Sequence, residues 1–477
     1  MSNHARSAIT VPTIALLTAL AAVLRFVHLG SKSLWFDEAL TAMLARAPWH
    51  AFTRTAWRGG EANMALYYEI MRAWTHLGMR EWALRSFSAL AGVAAIPVFY
   101  LLGRRLFGPA AGLIAALLLT VNACHVAYSQ EARSYALFFL LAILSPYFLV
   151  RAVESGAIWD YLAYALISAL TVYSHFFAFL LIGAQALSLI ALPRGTIRWR
   201  RLFIAAALLA VLVLPALFFV VGRNTGQLAW VPKPTARDLQ RLGYFLVADQ
   251  GTLREPLLAA YLVLAGLALI FWKRRNADPL ARFKFTLLLS WFLFPTAVAF
   301  VVSLWKPVFM PRFLIFCLAP LLLLTAVGLA QIRSTALRIA LTVALACASL
   351  VPTLWYYRQP KEQWREAVSY IATHAQPGDA VILFGNYARV PFEYHQPRMT
   401  WPAGVSFIRA ADSLPSKALP TNPAMHTWLL MHGQPSDPAV AALERNLAAR
   451  YGESSDQPFF MVTVRRYSNP APSPSSK

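Results

Sequence analysis

Apolar residues in this chain come in long uncharged blocks, with neither the strict alternation of a half-buried strand nor the narrow stripe of a surface helix. Blocks of about 20 apolar residues can cross a hydrocarbon core ~30 Å thick, and as helices they satisfy their own backbone hydrogen bonds there. Eleven such spans are predicted, near 10–29, 83–101, 109–125, 134–151, 160–174, 176–192, 202–221, 256–272, 285–304, 313–331 and 338–356. The fifth and sixth are short and turn on each other near Ser174-His175. A closed β-barrel would instead show short alternating segments. The first block follows His4 and Arg6, runs from Val11 to about Leu24 and lacks a small-x-small cleavage site, so it reads as a retained span.

The predicted fold class is therefore a polytopic α-helical membrane protein. Composition agrees: 58% of the residues are hydrophobic, 13% are charged, and mean hydropathy is +0.52. The net charge of +22 raises the question of nucleic acid. The basic residues sit mostly in short loops between spans, where they fix orientation, and no nucleic-acid partner is needed to explain them. Cys124, Cys317 and Cys347 lie in or at the ends of spans without a CxxC pair, and read as small core residues.

Arg104 and Arg105, Arg151, the Arg194–Arg201 group, Lys273–Lys284, and Arg333 with Arg338 fall in alternate loops, on the side of the N-terminus. The excess of cations makes that side cytoplasmic. The loops carrying Asp37, Glu131, His175, 222–255 and Lys306–Arg312 then share the opposite, external face with the C-terminal region. The expected location is a cell membrane crossed many times, with the active site and C-terminal domain on that external face.

The first external loop, 30–82, is long. Leu40, Met43 and Leu44 share a helical face, Pro48 opens a short helix with Trp49, Phe52 and Trp57, and Leu66, Tyr67, Ile70, Met71 and Trp74 recur at helical spacing. These are predicted interfacial helices, lying apolar face down on membrane lipids. The membrane module covers 1–356. From Tyr357 the pattern changes to that of a small soluble α/β domain, 357–468: a helix from Gln363 to about His374, a strand Ala380–Phe384, a strand at Trp428–Met431, a helix near 438–451 and an alternating strand Phe459–Val464. The Pro- and Ser-rich tail 469–477 is predicted to be disordered.

The candidate chemistry lies on the external face. Asp37 and Glu38 stand together just beyond the first span, in a chain with only 21 acids against 43 Lys and Arg. Carboxylates in an apolar, aromatic setting are costly to keep without a use. Side chains of adjacent helical residues diverge by about 100°, so one carboxylate takes a catalytic role and the other supports it. The competing reading is a helix N-terminus, where acids suit the macrodipole. Tyr128-Ser129-Gln130-Glu131-Ala132-Arg133 forms a second cluster. Glu131 and Arg133 are either a local ion pair or site residues, and Tyr128 and Gln130 are candidates for hydrogen bonds to a sugar. His175 is either a substrate ligand or a histidine bonded to backbone. Lys306 and Arg312 bring cations back to the external side, which suits an anion such as phosphate; the alternative is an anchor for lipid headgroups.

Leu34-Trp35-Phe36-Asp37-Glu38-Ala39, Leu66-Tyr67-Tyr68, the stretch Tyr128–Leu137, Pro311-Arg312-Phe313-Leu314 and Trp364-Arg365 together resemble the bacterial branch of the protein O-mannosyltransferase-like glycosyltransferases. These have the GT-C architecture and include the aminoarabinose transferases that modify lipid A. The resemblance covers most of the chain and is most specific at Ser129-Gln130-Glu131-Ala132-Arg133. It implies a polyprenyl-phosphate-linked sugar as donor, a lipid, glycan or protein acceptor, and Asp37 as the catalytic base, with Tyr67 among the substrate contacts. Many relatives have His and Pro before the Leu-Tyr pair, where this chain has Asn63-Met64-Ala65. A divalent metal contact in that loop is therefore left open, and no other cofactor is implied.

One carboxylate suffices for the reaction, because phosphate leaves without a general acid and attack from behind inverts the anomeric carbon. Cations would stabilise the growing phosphate charge. Two competing functions remain. A flippase for lipid-linked sugars predicts acids near the bilayer middle and broken helices. A structural subunit of an envelope complex predicts that Asp37 tolerates change.

Overall fold

The computed structural model describes residues 3–54, 61–222, 231–248, 251–271, 278–410, 426–433, 438–452 and 454–468. The predicted disordered tail 469–477 and Trp57 lie outside the described residues. The chain divides into two compact units.

The first unit comprises Met1–Leu29, Ala47–Trp74 and Arg85–Arg358, and among its described residues it is helical. Helices occupy all eleven predicted spans. Among the described residues six are long and apolar enough to cross a membrane on their own: Glu81–Phe107, Tyr135–Ser155, Trp199–Phe218, Ala281–Ser303, Pro311–Ala330 and Thr335–Arg358. The pair Pro109–Val121 and Ala123–Ser129, bent by 60°, is either a seventh, broken span or a re-entrant loop. The bend has a local cause. Asn122 caps the second helix, accepting from the His125 N–H at 2.9 Å through Oδ1, and its amide donates to the Leu246 carbonyl at 2.9 Å. Pro311–Ala330 is the innermost span, with nearly every side chain buried from Phe313 to Leu329. Cys124 and Cys317 are buried as expected, but Cys347 is exposed, on the outer side of Thr335–Arg358.

The helix Ala65–Trp74 departs from the interfacial expectation. Tyr67, Tyr68 and Met71 are fully buried, and the helix packs on Ile158–Ser174. Its apolar face therefore meets protein.

The second unit comprises Gly30–Arg46, Thr75–Leu84 and Gln359–Lys477. Two pieces of the first loop thus fold with the C-terminal region. The core is a five-stranded mixed sheet of strands β1 (Ala380–Phe384), β2 (Ser406–Ala410), β3 (Thr427–His432), β4 (Ser454–Phe459) and β5 (Val462–Tyr467), in the order β2-β1-β3-β5-β4. β1 runs parallel to β2 and β3, while β5 runs antiparallel to β3 and β4. Alternate residues serve opposite faces. Val381, Leu383, Trp428 and Leu430 pack under helices Trp364–His374 and Gly385–His395, and Ile382, Leu429 and Met431 pack under helix Pro438–Tyr451. The single strand predicted at Phe459–Val464 is in fact the tip of a hairpin, which turns at Phe460-Met461. Met461 takes the left-handed backbone conformation, φ 58°, as the second central residue of a type II turn does.

Candidate functional site

In the first unit the site grows from the turn 130–134, which links the bent helix pair to Tyr135–Ser155. Gln130 begins it. Its amide donates to the carbonyls of Val27 at 2.7 Å and Arg25 at 3.2 Å, and reaches Leu24 at 3.5 Å. These lie at and just beyond the end of the first helix, Asn3–Phe26, where carbonyls have no intrahelical partner. Gln130 is thus a structural cap, and its amide N–H groups are not available as the predicted sugar contact.

Three residues on, Arg133 is buried and donates to the Tyr68 hydroxyl at 3.1 Å. Ser88 fixes the same turn by donating to the Arg133 carbonyl at 3.1 Å. The predicted contact Tyr67 points to Ser88 instead, oxygen to oxygen 2.8 Å, and packs against Phe87. The first-loop tyrosine that meets the arginine is therefore Tyr68, which sequence reasoning passed over.

Tyr128 lies edge-on to Tyr135 and Phe245, within electrostatic reach of Glu131 and Arg312. Arg312 opens the short helical segment Pro311–Cys317, with its guanidinium over the Phe313 ring. His175 caps the end of helix Ile158–Ser174, where the backbone turns extended. Its ring stacks on Phe138 at 5.1 Å and packs against Phe313 and Phe177. Nδ1 accepts the Phe177 N–H at 3.2 Å, so the neutral ring carries its proton on Nε2. That nitrogen is buried with no hydrogen-bond partner among the described residues. Burial, then the charges of Arg133 and Arg312, push the His175 pKa down to about 3.

Tyr128, Glu131, Arg133, His175 and Arg312 thus form one aromatic, cationic cluster, with Tyr68 as its added member. Three described acids of this unit are paired elsewhere, Glu154 with Arg105 at 2.8 Å, Asp160 with Arg151 at 2.8 Å and Asp278 with Lys284 at 3.1 Å. Lys306 is exposed just beyond helix Ala281–Ser303, and no described contact joins it to the cluster.

The acidic pair lies in the second unit. Asp37 and Glu38 occupy the first turn of helix Phe36–Arg46, as the helix-terminus reading expects. Asp37 is half-buried and Glu38 fully buried, with a Glu38 oxygen 4.0 Å from the Lys361 ammonium. Among the described residues no group of three His, Cys, Asp or Glu side chains is placed to hold a metal ion.

Residues 64–219 match the family model described as Dolichyl-phosphate-mannose-protein mannosyltransferase. That range contains the cluster except Arg312, and does not reach Asp37. No curated protein sequence matches the chain. Among solved structures, ArnT from Cupriavidus metallidurans in its apo state is 12% identical, with 95% of this chain and 97% of that chain covered at a TM-score of 0.59. The same protein bound to undecaprenyl phosphate is 13% identical over the same coverage, with a TM-score of 0.61. The archaeal oligosaccharyltransferase AglB from Archaeoglobus fulgidus, in complex with an inhibitory peptide and a dolichol-phosphate, is 13% identical, with 99% of this chain and 75% of that chain covered at a TM-score of 0.52. The chain is therefore an integral membrane protein of the GT-C fold, and its residues 64–219 match the mannosyltransferase model.

Proposed function

We propose that this protein is an inverting glycosyltransferase of the bacterial inner membrane. It moves a sugar from a polyprenyl-phosphate donor to an acceptor hydroxyl on the external face. The observation that carries this reading is the buried Arg133–Tyr68 pair, within a cluster that adds Arg312 and the His175 Nε2–H, which has no partner among the described residues. A buried and a half-buried cation with an open donor suit an anion placed at a membrane boundary, and phosphate is the anion that a lipid-linked sugar presents. The relatives seen with undecaprenyl phosphate and dolichol-phosphate support the same class of donor.

In the proposed step the acceptor oxygen forms a bond to the anomeric carbon. The bond from that carbon to the phosphate oxygen breaks, and its electron pair leaves on the prenyl phosphate. The acceptor proton passes to Asp37, the general base. Arg133, Arg312 and the His175 Nε2–H take up the charge growing on the phosphate, and Tyr68 orients Arg133. Glu38 supports the acidic helix from its buried position.

The test is transfer of labelled sugar from a panel of polyprenyl-phosphate sugars in membranes, comparing wild type with Asp37→Asn at equal protein level. Transfer that vanishes in the variant supports the base and names the donor. Full transfer in the variant removes Asp37 as base. Movement of lipid-linked sugar across the bilayer without any transfer would assign a flippase instead.

A further inference from the structure

A general base must hold its carboxylate to a fraction of an ångström, because small misplacements cost large factors in rate. Asp37 stands in the first turn of a helix of 11 residues. Isolated helices shorter than about 12–15 residues are marginal in water, so this one takes its position from what packs on it.

What packs on it comes from the C-terminal part of the second unit. The Phe36 ring, next to Asp37, stacks on Tyr387 at 4.4 Å with the planes 16° apart. Tyr387 is itself fixed. Its hydroxyl donates to Glu362 at 2.8 Å, and the His432 ring lies 4.1 Å away on it. Glu362 is buried and accepts a second hydrogen bond, 2.7 Å from the indole N–H of the fully buried Trp364. The adjacent Lys361 is the residue whose ammonium faces Glu38. Arg365 holds the chain that leads into the acidic helix. It donates to the carbonyl of Ser31 at 2.7 Å and to Glu81 at 3.1 Å, and its backbone N–H donates to Ser33 Oγ at 3.0 Å. Lys361, Glu362 and Arg365, from one short stretch of chain, thus hold both flanks of the acidic pair.

A packing role alone would be met more cheaply by apolar side chains, since burying a carboxylate costs free energy that its partners only partly return. A buried carboxylate with fixed donors does something an apolar contact does not: it selects one orientation of each partner.

We propose that Glu362 and Tyr387 are positioning residues for Asp37, acting through the Phe36 stack to set the first turn of the acidic helix. The C-terminal domain is then part of the catalytic apparatus, supplying geometry without touching substrate. This rests on the reading of Asp37 as general base.

The test is steady-state transfer by the full-length protein in detergent or vesicles, for Glu362→Gln, Tyr387→Phe, the double variant and Asp37→Asn. Tyr387→Phe keeps the ring on Phe36 and removes only the hydroxyl. Glu362→Gln keeps the shape and leaves one donor without an acceptor. Rates are taken per folded molecule, with melting temperature measured on the same samples. The expected result is a fall in kcat of about tenfold for each single variant, in line with a slightly misplaced reacting group. KM for the donor stays unchanged, and the double variant is no slower than the worse single, because both act along one path. Unchanged kcat in folded Glu362→Gln and Tyr387→Phe, beside an inactive Asp37→Asn, overturns the positioning role alone. A double variant slowed by the product of the two singles overturns the shared path. Full turnover in Asp37→Asn overturns the base reading itself, and the positioning role with it.

Discussion

The Arg133 guanidinium donates to the Tyr68 hydroxyl at 3.1 Å, tying the turn that follows the bent helix pair to the helix Ala65–Trp74 of the first loop. A hydrogen bond to a charged group contributes about 1.5–3 kcal/mol, roughly twice a neutral one. If Arg133 receives the donor phosphate, Tyr68→Phe lets the guanidinium wander. The KM for polyprenyl-phosphate sugar is then expected to rise by about tenfold or more, from about 1.4 kcal/mol per factor of ten. Tyr67→Phe is the internal control. It removes the hydroxyl that meets Ser88 and keeps the ring, so it should cost about 1 kcal/mol of stability and leave KM unchanged. Equal KM values for the two variants would detach Tyr68 from donor binding.

Gln130 gives the opposite expectation. Gln130→Ala removes the amide that caps the first helix and leaves the buried carbonyl of Arg25 and the part-buried one of Val27 without that donor. Each such group costs about 1–3 kcal/mol. Melting temperature in detergent should fall clearly, with KM for donor and acceptor unchanged in the protein that remains folded. A rise in KM at constant melting temperature would restore Gln130 to the substrate site.

The helix positions and the polar run around Glu131 were legible because they are local. An uncharged block of about 20 residues has little choice but to span, and a dense polar run beside such a block is visible by eye. What was not legible depends on partners far away in sequence. Tyr67 and Tyr68 are adjacent, and only the position of Arg133, sixty-odd residues on, decides which of them meets it. Gln130 looks like a sugar ligand until the end of the first helix, more than a hundred residues earlier, is placed against it. Glu362 gives no signal in its own neighbourhood, since the residues that define it include Tyr387 and His432. The hairpin at Phe460-Met461 was missed because its turn holds neither Gly nor Asn, the usual marks of a left-handed residue.

Close helix packing in the first unit gives a prediction independent of chemistry. A Cβ on Gly328 would lie 1.9 Å from the Leu264 carbonyl oxygen, and backbone cannot move aside as a side chain can. Small residues let membrane helices approach in this way. Gly328→Ala should therefore separate Arg254–Phe271 from Leu318–Ala330, at a cost of about 1–3 kcal/mol or more for overpacking. Gly266, on the first of these helices, has open space where its Cβ would go. Gly266→Ala should be neutral, or stabilising by up to about 1 kcal/mol from helix propensity. Melting temperatures of the two variants, measured side by side, check this, and equal values would contradict the tight crossing.

His175 links the cluster to pH. Burial first, then Arg133 and Arg312, depress its pKa from the ordinary 6.5 to about 3, so the folded ring stays neutral across the physiological range. In the unfolded chain the ring takes up a proton as pH falls through about 6.5. Between about 3 and 6.5 the unfolded state therefore binds more protons than the folded one, and stability rises with pH across that window. The neutral ring's contribution is fully present above 6.5 and is lost progressively as the solution is acidified toward 3. At full linkage the slope from one such group is about 1.4 kcal/mol per pH unit. Gln keeps a donor and an acceptor but does not titrate. Wild type should thus lose melting temperature more steeply than His175→Gln on going from pH 7 to pH 4, although the variant starts lower because it gives up the stack on Phe138. Transfer activity should show no titration step near pH 6.5 that disappears in the variant. Parallel stability curves, or such a step, would mean that the folded ring protonates like an exposed histidine, and that it meets the donor phosphate as a cation.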